Sequence, residues 1–186
     1  MVNCCGTNVH ISTSFIVLAL IIAYILTVNL YPSILGEVEK EDQLHYIVAG
    51  LITSFLFIFG IIFHELAHIN AARSLGVRTY DVELFLFGGI SSISHIKSPK
   101  EEILISIAGL FVTGMLSLIF FIIFNILYQQ NSQEFDIISL SFYWLYLQNL
   151  ILFIFNSIPV TPLDGGHILK ALIWYCTGNE KLGLLI

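Results

Sequence analysis

The chain has 186 residues, 57% of them hydrophobic and 11% charged, with 15 phenylalanines and a mean hydropathy of +0.90, whereas a soluble domain carries roughly 25% charged residues. Seven Lys or Arg and thirteen Asp or Glu are too few to cover the surface of a water-soluble fold of this size, so a lipid bilayer is the expected solvent. A net charge of −6 without any basic run excludes nucleic acid as a partner, and Cys4, Cys5 and Cys176 form neither a disulfide framework nor a CxxC pair.

A helix crosses a hydrocarbon core of about 30 Å with roughly 20 apolar residues. The first run of that kind covers about residues 15–31, carries no charge and ends at Pro32, ahead of an acidic stretch at 37–42. It lacks a basic n-region and a small-residue cleavage site, so it reads as a retained helix and not a signal peptide. A second helix, about 46–75, starts apolar and then acquires His64, Glu65, His68, Asn70 and Arg73. After it, residues 82–93 hold short apolar runs on either side of Gly88-Gly89, which predicts a β-hairpin in or on the membrane, turning at the glycine pair. A third helix is expected at about 101–128 and a fourth at about 140–176, broken at 159–165 by Pro159, Pro162 and Gly165-Gly166. No repeat or linker divides the chain. The expectation is therefore one domain over 1–186, an all-α polytopic membrane protein with about four transmembrane helices and one short membrane-associated hairpin.

Basic residues set its orientation, because cytoplasmic loops are enriched in Lys and Arg. Arg73, Arg78, Lys97 and Lys100 lie between the second and third helices, and Lys170 and Lys181 follow the fourth helix. They predict a cytoplasmic N-terminus and an active site opening to the same side of a cell membrane.

His64-Glu65-Leu66-Ala67-His68 places two imidazoles one helical turn apart on one face, the spacing that lets both bind a single Zn²⁺, with Glu65 able to reach a water at that ion. Ionisable side chains inside a membrane helix are costly and point to function; the plainer reading is a polar helix end snorkelling to the interface. A catalytic zinc takes three protein ligands and leaves one position open. Asp164, within the broken segment, is the best third donor, although Asp before Gly is also an ordinary helix-cap signal. Glu101 and Glu102 read as acids complementing a helix dipole, and Asp81 and Glu83 as strand-flanking residues.

The pentad at 64–68, Phe87-Gly88-Gly89, Ala108-Gly109, and the run from Asn156 through Pro159, Pro162 and Asp164 to Gly166 resemble the site-2 protease family of intramembrane zinc metalloproteases. The likeness covers about residues 46–175. It implies one Zn²⁺ per chain held by His64, His68 and Asp164, with Glu65 as the catalytic base. It further implies that Asn156 and the hairpin residues Phe87, Gly88 and Gly89 help hold the substrate, a transmembrane protein cleaved in the bilayer. Leu110 stands where many relatives have proline, which leaves a kink in the third helix without its usual cause. Two readings of Asn156 remain, one binding substrate backbone or a developing oxyanion and one tying down the broken helix. The hairpin likewise either adds a substrate strand to its edge or anchors Phe85, Leu86 and Phe87 in lipid. His10, His45 and His95 read as surface residues, His167 as either facing the site or, more simply, starting the last helix, and Cys4-Cys5 as a weak lipidation pattern. A transporter or channel, or a zinc-binding membrane scaffold without catalysis, is the rival class; Glu65 discriminates among them. A regulatory membrane partner or a homo-oligomer is left open.

Overall fold

A computed structural model describes residues 2–4, 7–11, 13–36, 43–77, 79–85, 88–93, 96–131 and 134–183. Two strands, β1 (Val2–Cys4) and β2 (Thr7–Ile11), precede α1 (Thr13–Ile25), a π-helical turn (Leu26–Leu30) and α2 (Tyr31–Leu35). Then come α3 (Gln43–Ser74), β3 (Thr79–Phe85), β4 (Gly88–Ile93), α4 (Pro99–Gln130), α5 (Ile137–Asn156), α6 (Asp164–Thr177) and α7 (Glu180–Gly183). Among the described residues, four helical stretches are long and apolar enough to cross a membrane: Thr13–Leu35, Gln43–Ser74, Pro99–Gln130 and Ile137–Asn156.

Burial is inverted relative to a soluble fold. Large apolar side chains such as Ile16, Phe111 and Phe63 face outward, while Thr53, Ser54, His64, His68, Glu102, Thr113, Ser117 and Asn149 are buried between helices. Lipid solvates the first group, and helix neighbours satisfy the second. The chain is a multi-pass membrane protein.

The first spanning helix does not stop at Pro32. Within the π turn the Tyr31 N–H bonds to the Leu26 carbonyl five residues back, and α2 restarts with Pro32 in its first turn. There the missing proline N–H needs no partner, so the helix continues to Leu35. This helix lies against α3 with small residues at the crossing: Ala19 and Ala23 are buried, and a β-carbon on Gly50 would run into Thr27 Oγ1 and the Ala23 carbonyl. Tyr31, buried, ties the first helix to the bundle through Thr53 Oγ1 at 3.2 Å and Ser141 Oγ at 2.7 Å.

The strands form one sheet in the order β1-β2-β3-β4, with β2 parallel to β3 and the other pairs antiparallel. What reads in the sequence as a polar start and a free-standing hairpin is thus a four-stranded sheet, because β2 covers the edge of β3 that a lone hairpin would leave open. Gly88 and Gly89 pair as strand residues with Phe85 and Leu84, one step past the turn the glycine pair predicts. Phe87 and His95 lie outside the described residues.

The third helix is continuous, in keeping with leucine at 110, whereas the break in the fourth moves. α4 runs unbroken from Pro99 to Gln130, with Leu110 buried inside it. The interruption before α6 falls at 157–163 and not 159–165. α5 ends at Asn156, where Ser157 folds its N–H back onto the Phe153 and Ile154 carbonyls, and Pro159 disfavours helix at the residue before it. Asp164 then opens α6.

Candidate metal centre and active site

α3, α4 and α6 meet around His64 and His68. The two imidazoles lie nearly perpendicular, at 87° with centroids 4.7 Å apart, and both are buried. His68 Nδ1 lies 2.8 Å from the Ile105 carbonyl, which can only accept, so Nδ1 carries the proton. His64 Nδ1 lies 2.7 Å from Thr113 Oγ1. That hydroxyl gives its own proton to the Gly109 carbonyl at 3.1 Å, so it accepts from His64 Nδ1–H. Both rings in their neutral form are therefore fixed as the tautomer whose Nε2 bears a lone pair.

Those two Nε2 atoms face each other at 3.1 Å. Two lone pairs at that distance repel unless a cation lies between them. Asp164 completes the arrangement, with Oδ2 at 3.4 Å from His64 Nε2 and Oδ1 at 3.3 Å from His68 Nε2. The Asp164 carboxylate is not a helix cap: Leu163 occupies the N-cap position without a side-chain cap bond, and Asp164 Oδ2 is buried with no hydrogen-bond partner. One ligand atom from each of the three residues lies within 4.8 Å of the others. Ligands about 2.0–2.2 Å from a tetrahedral zinc stand roughly 3.4 Å apart, so the spacing and the nitrogen–nitrogen–oxygen donor set fit one zinc ion. Glu65, between the histidines on α3, is buried as well.

Glycine makes this convergence possible. A β-carbon on Gly109 would overlap Nε2 and Cε1 of His68 and come within 2.9 Å of His64 Cε1. The glycines after Asp164 act in the same way. Gly165 presses on the Ser157 and Ile158 carbonyls and Gly166 on the backbone of Val160 and Thr161, so a side chain at either would push the loop off α6. The sequence suggests that this pair turns the chain, yet both are helical. Their function is close approach.

Other predicted residues are placed as follows. Asn156 is half-buried at the end of α5, where the break toward Asp164 begins. Gly88 and Gly89 lie in β4. Glu101 lies in the first turn of α4, where Ser98 Oγ accepts from its N–H at 3.3 Å and its carboxylate accepts from the Lys97 N–H at 3.0 Å. Glu102 differs. It is 2% exposed and its Oε1 accepts from Lys170 Nζ at 3.0 Å and pairs with His167 Nδ1 at 3.2 Å. Thr113, the Ile105 carbonyl and Glu102 were not legible as site residues; a polar residue four positions from Gly109 is the one sequence signal that marks Thr113.

A mostly helical membrane fold with a buried two-histidine, one-carboxylate cluster beside a glutamate defines a class of membrane-embedded metallopeptidases. The sequence profile described as Peptidase family M50 matches residues 52–136 and 124–182, and the chain belongs to that family. A candidate zinc metalloprotease of Synechocystis is 36% identical over 75% of this chain and 36% of its own length. Rip3 of Mycobacterium tuberculosis, also described as a candidate zinc metalloprotease, is 32% identical over 93% of this chain and 42% of its own. A zinc metalloprotease of Methanocaldococcus jannaschii is 36% identical over 70% of this chain and 36% of its own. The chain thus spans well under half the length of these relatives. The solved structure of a site-2 protease from Methanocaldococcus jannaschii has the same fold, with a TM-score of 0.61 at 23% identity, over 94% of this chain and 71% of that one.

Proposed function

We propose that this chain is a zinc metalloendopeptidase that hydrolyses peptide bonds of transmembrane proteins, with His64, His68 and Asp164 as the metal ligands and Glu65 as the catalytic base. The observation that supports it best is the pair of Nε2 atoms fixed 3.1 Å apart as acceptors beside a buried Asp164 oxygen that no hydrogen-bond donor satisfies. Bound zinc supplies Lewis acidity, making water easier to deprotonate and polarising the scissile carbonyl. Glu65 accepts the proton of the attacking water and delivers it to the departing amine nitrogen. Thr113 and the Ile105 carbonyl hold the two imidazoles in the tautomer and orientation that the ligand set requires.

A transmembrane helix has its backbone carbonyls hydrogen-bonded and must unwind before attack. β4 ends the sheet, so its outer edge offers N–H and C=O groups to an unwound substrate strand. Gly88 and Gly89 belong to that edge strand, and Phe87, the preceding residue in the sequence, is assigned to substrate binding with them. Asn156, at the mouth of the break, supplies an amide to the substrate backbone. The basic residues after α3 and in α6 favour an N-terminus and a site opening on the cytoplasmic side.

Glu65→Gln separates this reading from its rivals. The variant is expected to keep stoichiometric zinc and lose cleavage of a membrane-embedded reporter substrate. Unchanged cleavage would refute the mechanism, and a purified chain without zinc would favour a transporter.

A further inference from the structure

Glu102 is a buried carboxylate, 2% exposed, in the first turn of α4 and not among the proposed metal ligands. Its Oε1 takes both available partners, Lys170 Nζ at 3.0 Å and His167 Nδ1 at 3.2 Å. Its Oε2 is buried without a partner. A half-satisfied buried carboxylate is a poor way to gain stability, since well-packed apolar residues commonly do better. Its position suggests a different use.

Glu102, Ile105, Gly109 and Thr113 succeed one another at steps of three, four and four, and so lie along one stripe of α4. Ile105 and Thr113 hold the histidines, and Gly109 gives them room. On α6 the matching stripe is Asp164, His167 and Lys170, at steps of three. Asp164 meets the histidines beside Gly109, while His167 and Lys170 meet Glu102 two turns back along α4. The two helices therefore run antiparallel along a shared seam, pinned at one end by Glu102 and bearing Asp164 at the other. Leu172, roughly on the far side of α6 from His167, is exposed. A metal site tolerates errors of only about 0.2 Å in its ligand positions, whereas a helix held by apolar contact alone is free to slide or rotate by more than that.

We propose that Glu102 is a positioning residue: through His167 and Lys170 it fixes the register of α6 on α4 and so holds Asp164 opposite His64 and His68. This rests on the reading of Asp164 as a metal ligand.

The test is a double-mutant cycle on the purified full chain in detergent. Zinc affinity is measured by chelator competition and ligand geometry by the visible spectrum of the cobalt-substituted protein. Glu102→Gln and Lys170→Met are each expected to weaken zinc binding roughly 10- to 100-fold, the range for residues that orient metal ligands, and to alter the cobalt bands as Asp164→Ala does. Lys170→Arg is expected to restore wild-type behaviour. In an Asp164→Ala background, Glu102→Gln should cost nothing more, because its effect passes through Asp164. Full additivity there, or wild-type affinity in Glu102→Gln, overturns the proposal while leaving the ligand assignment intact. Wild-type affinity in Asp164→Ala overturns the ligand assignment itself. Should Glu102→Gln fail to fold, Lys170→Met and His167→Gln complete the same cycle, the His167 side chain being 44% exposed.

Discussion

Replacing Gly109 by alanine adds one methyl group at the most crowded point of the site. The new carbon would overlap His68 Nε2 and Cε1 and sit 2.9 Å from His64 Cε1, where 3.4 Å is ordinary contact. Neither ring has an easy retreat, because His68 Nδ1 is bound to Ile105 at 2.8 Å and His64 Nδ1 to Thr113 at 2.7 Å. Clearing the overlap displaces the His68 ring by about 1 Å, far beyond the tolerance of a metal ligand, and stretches its Nδ1 hydrogen bond. Overpacking costs about 1–3 kcal/mol and a lost hydrogen bond about 1 kcal/mol. Together these predict zinc binding weaker by a factor of roughly 30 to 1,000, at about 1.4 kcal/mol per decade. Chelator competition on the purified full chain measures the change, with circular dichroism and thermal melting to show that the bundle persists. A Gly109→Ala chain that folds and binds zinc with unaltered affinity would refute the close-approach argument.

Thr113→Val removes the acceptor that fixes the His64 tautomer and is expected to weaken zinc roughly 10- to 100-fold in the same assay, with little change in melting temperature. Gly165→Ala drives a β-carbon into the Ser157 and Ile158 carbonyls; lower thermal stability by about 1–3 kcal/mol together with weaker zinc binding is expected, and an unchanged melting curve would contradict it. Protons compete with zinc for the two Nε2 atoms, so affinity should fall as pH is lowered from neutral to mildly acidic; a pH-independent affinity would argue against histidine ligation. Stripping zinc with a chelator should abolish cleavage and its return restore it, measured on the same reporter substrate.

The candidate metal cluster is legible in the sequence because its parts are chemically rare in a bilayer. His64, Glu65, His68 and Asp164 are ionisable groups in apolar surroundings, and a four-residue helical step brings the first three together without tertiary knowledge. Helix number is legible for a related reason, since hydrocarbon thickness dictates run length. Boundaries are less so. Pro32 reads as a stop, but a π turn upstream moves it into a first helical turn, a backbone adjustment that leaves no trace in hydropathy. The residues that support the cluster are hidden differently. Ile105 contributes a carbonyl, and every residue has one. Glu102 sits beside Glu101 at a helix start, and only the packing of α6 against α4 separates a capping acid from a buried one. β1 and β2 are hidden because β2 is short and its partner, β3, lies about seventy positions away, a long-range pairing that local pattern does not encode.

Leu110 shows why the support forms one stripe. A proline there would lack the N–H that bonds the Ser106 carbonyl and would kink the helix one residue after Gly109. With leucine the helix is continuous from Pro99 to Gln130, so Glu102, Ile105, Gly109 and Thr113 keep an uninterrupted helical phase. The Ile105 carbonyl has a second lone pair for His68, and the Gly109 carbonyl likewise accepts from Thr113. One continuous helix thus orients both imidazoles, leaves the gap they occupy and packs against the helix that carries Asp164. Leu110→Pro should therefore act on all of these at once, lowering zinc affinity more than Thr113→Val does. If the Leu110→Pro chain folded and its zinc affinity matched wild type, a continuous α4 would not be what aligns the site.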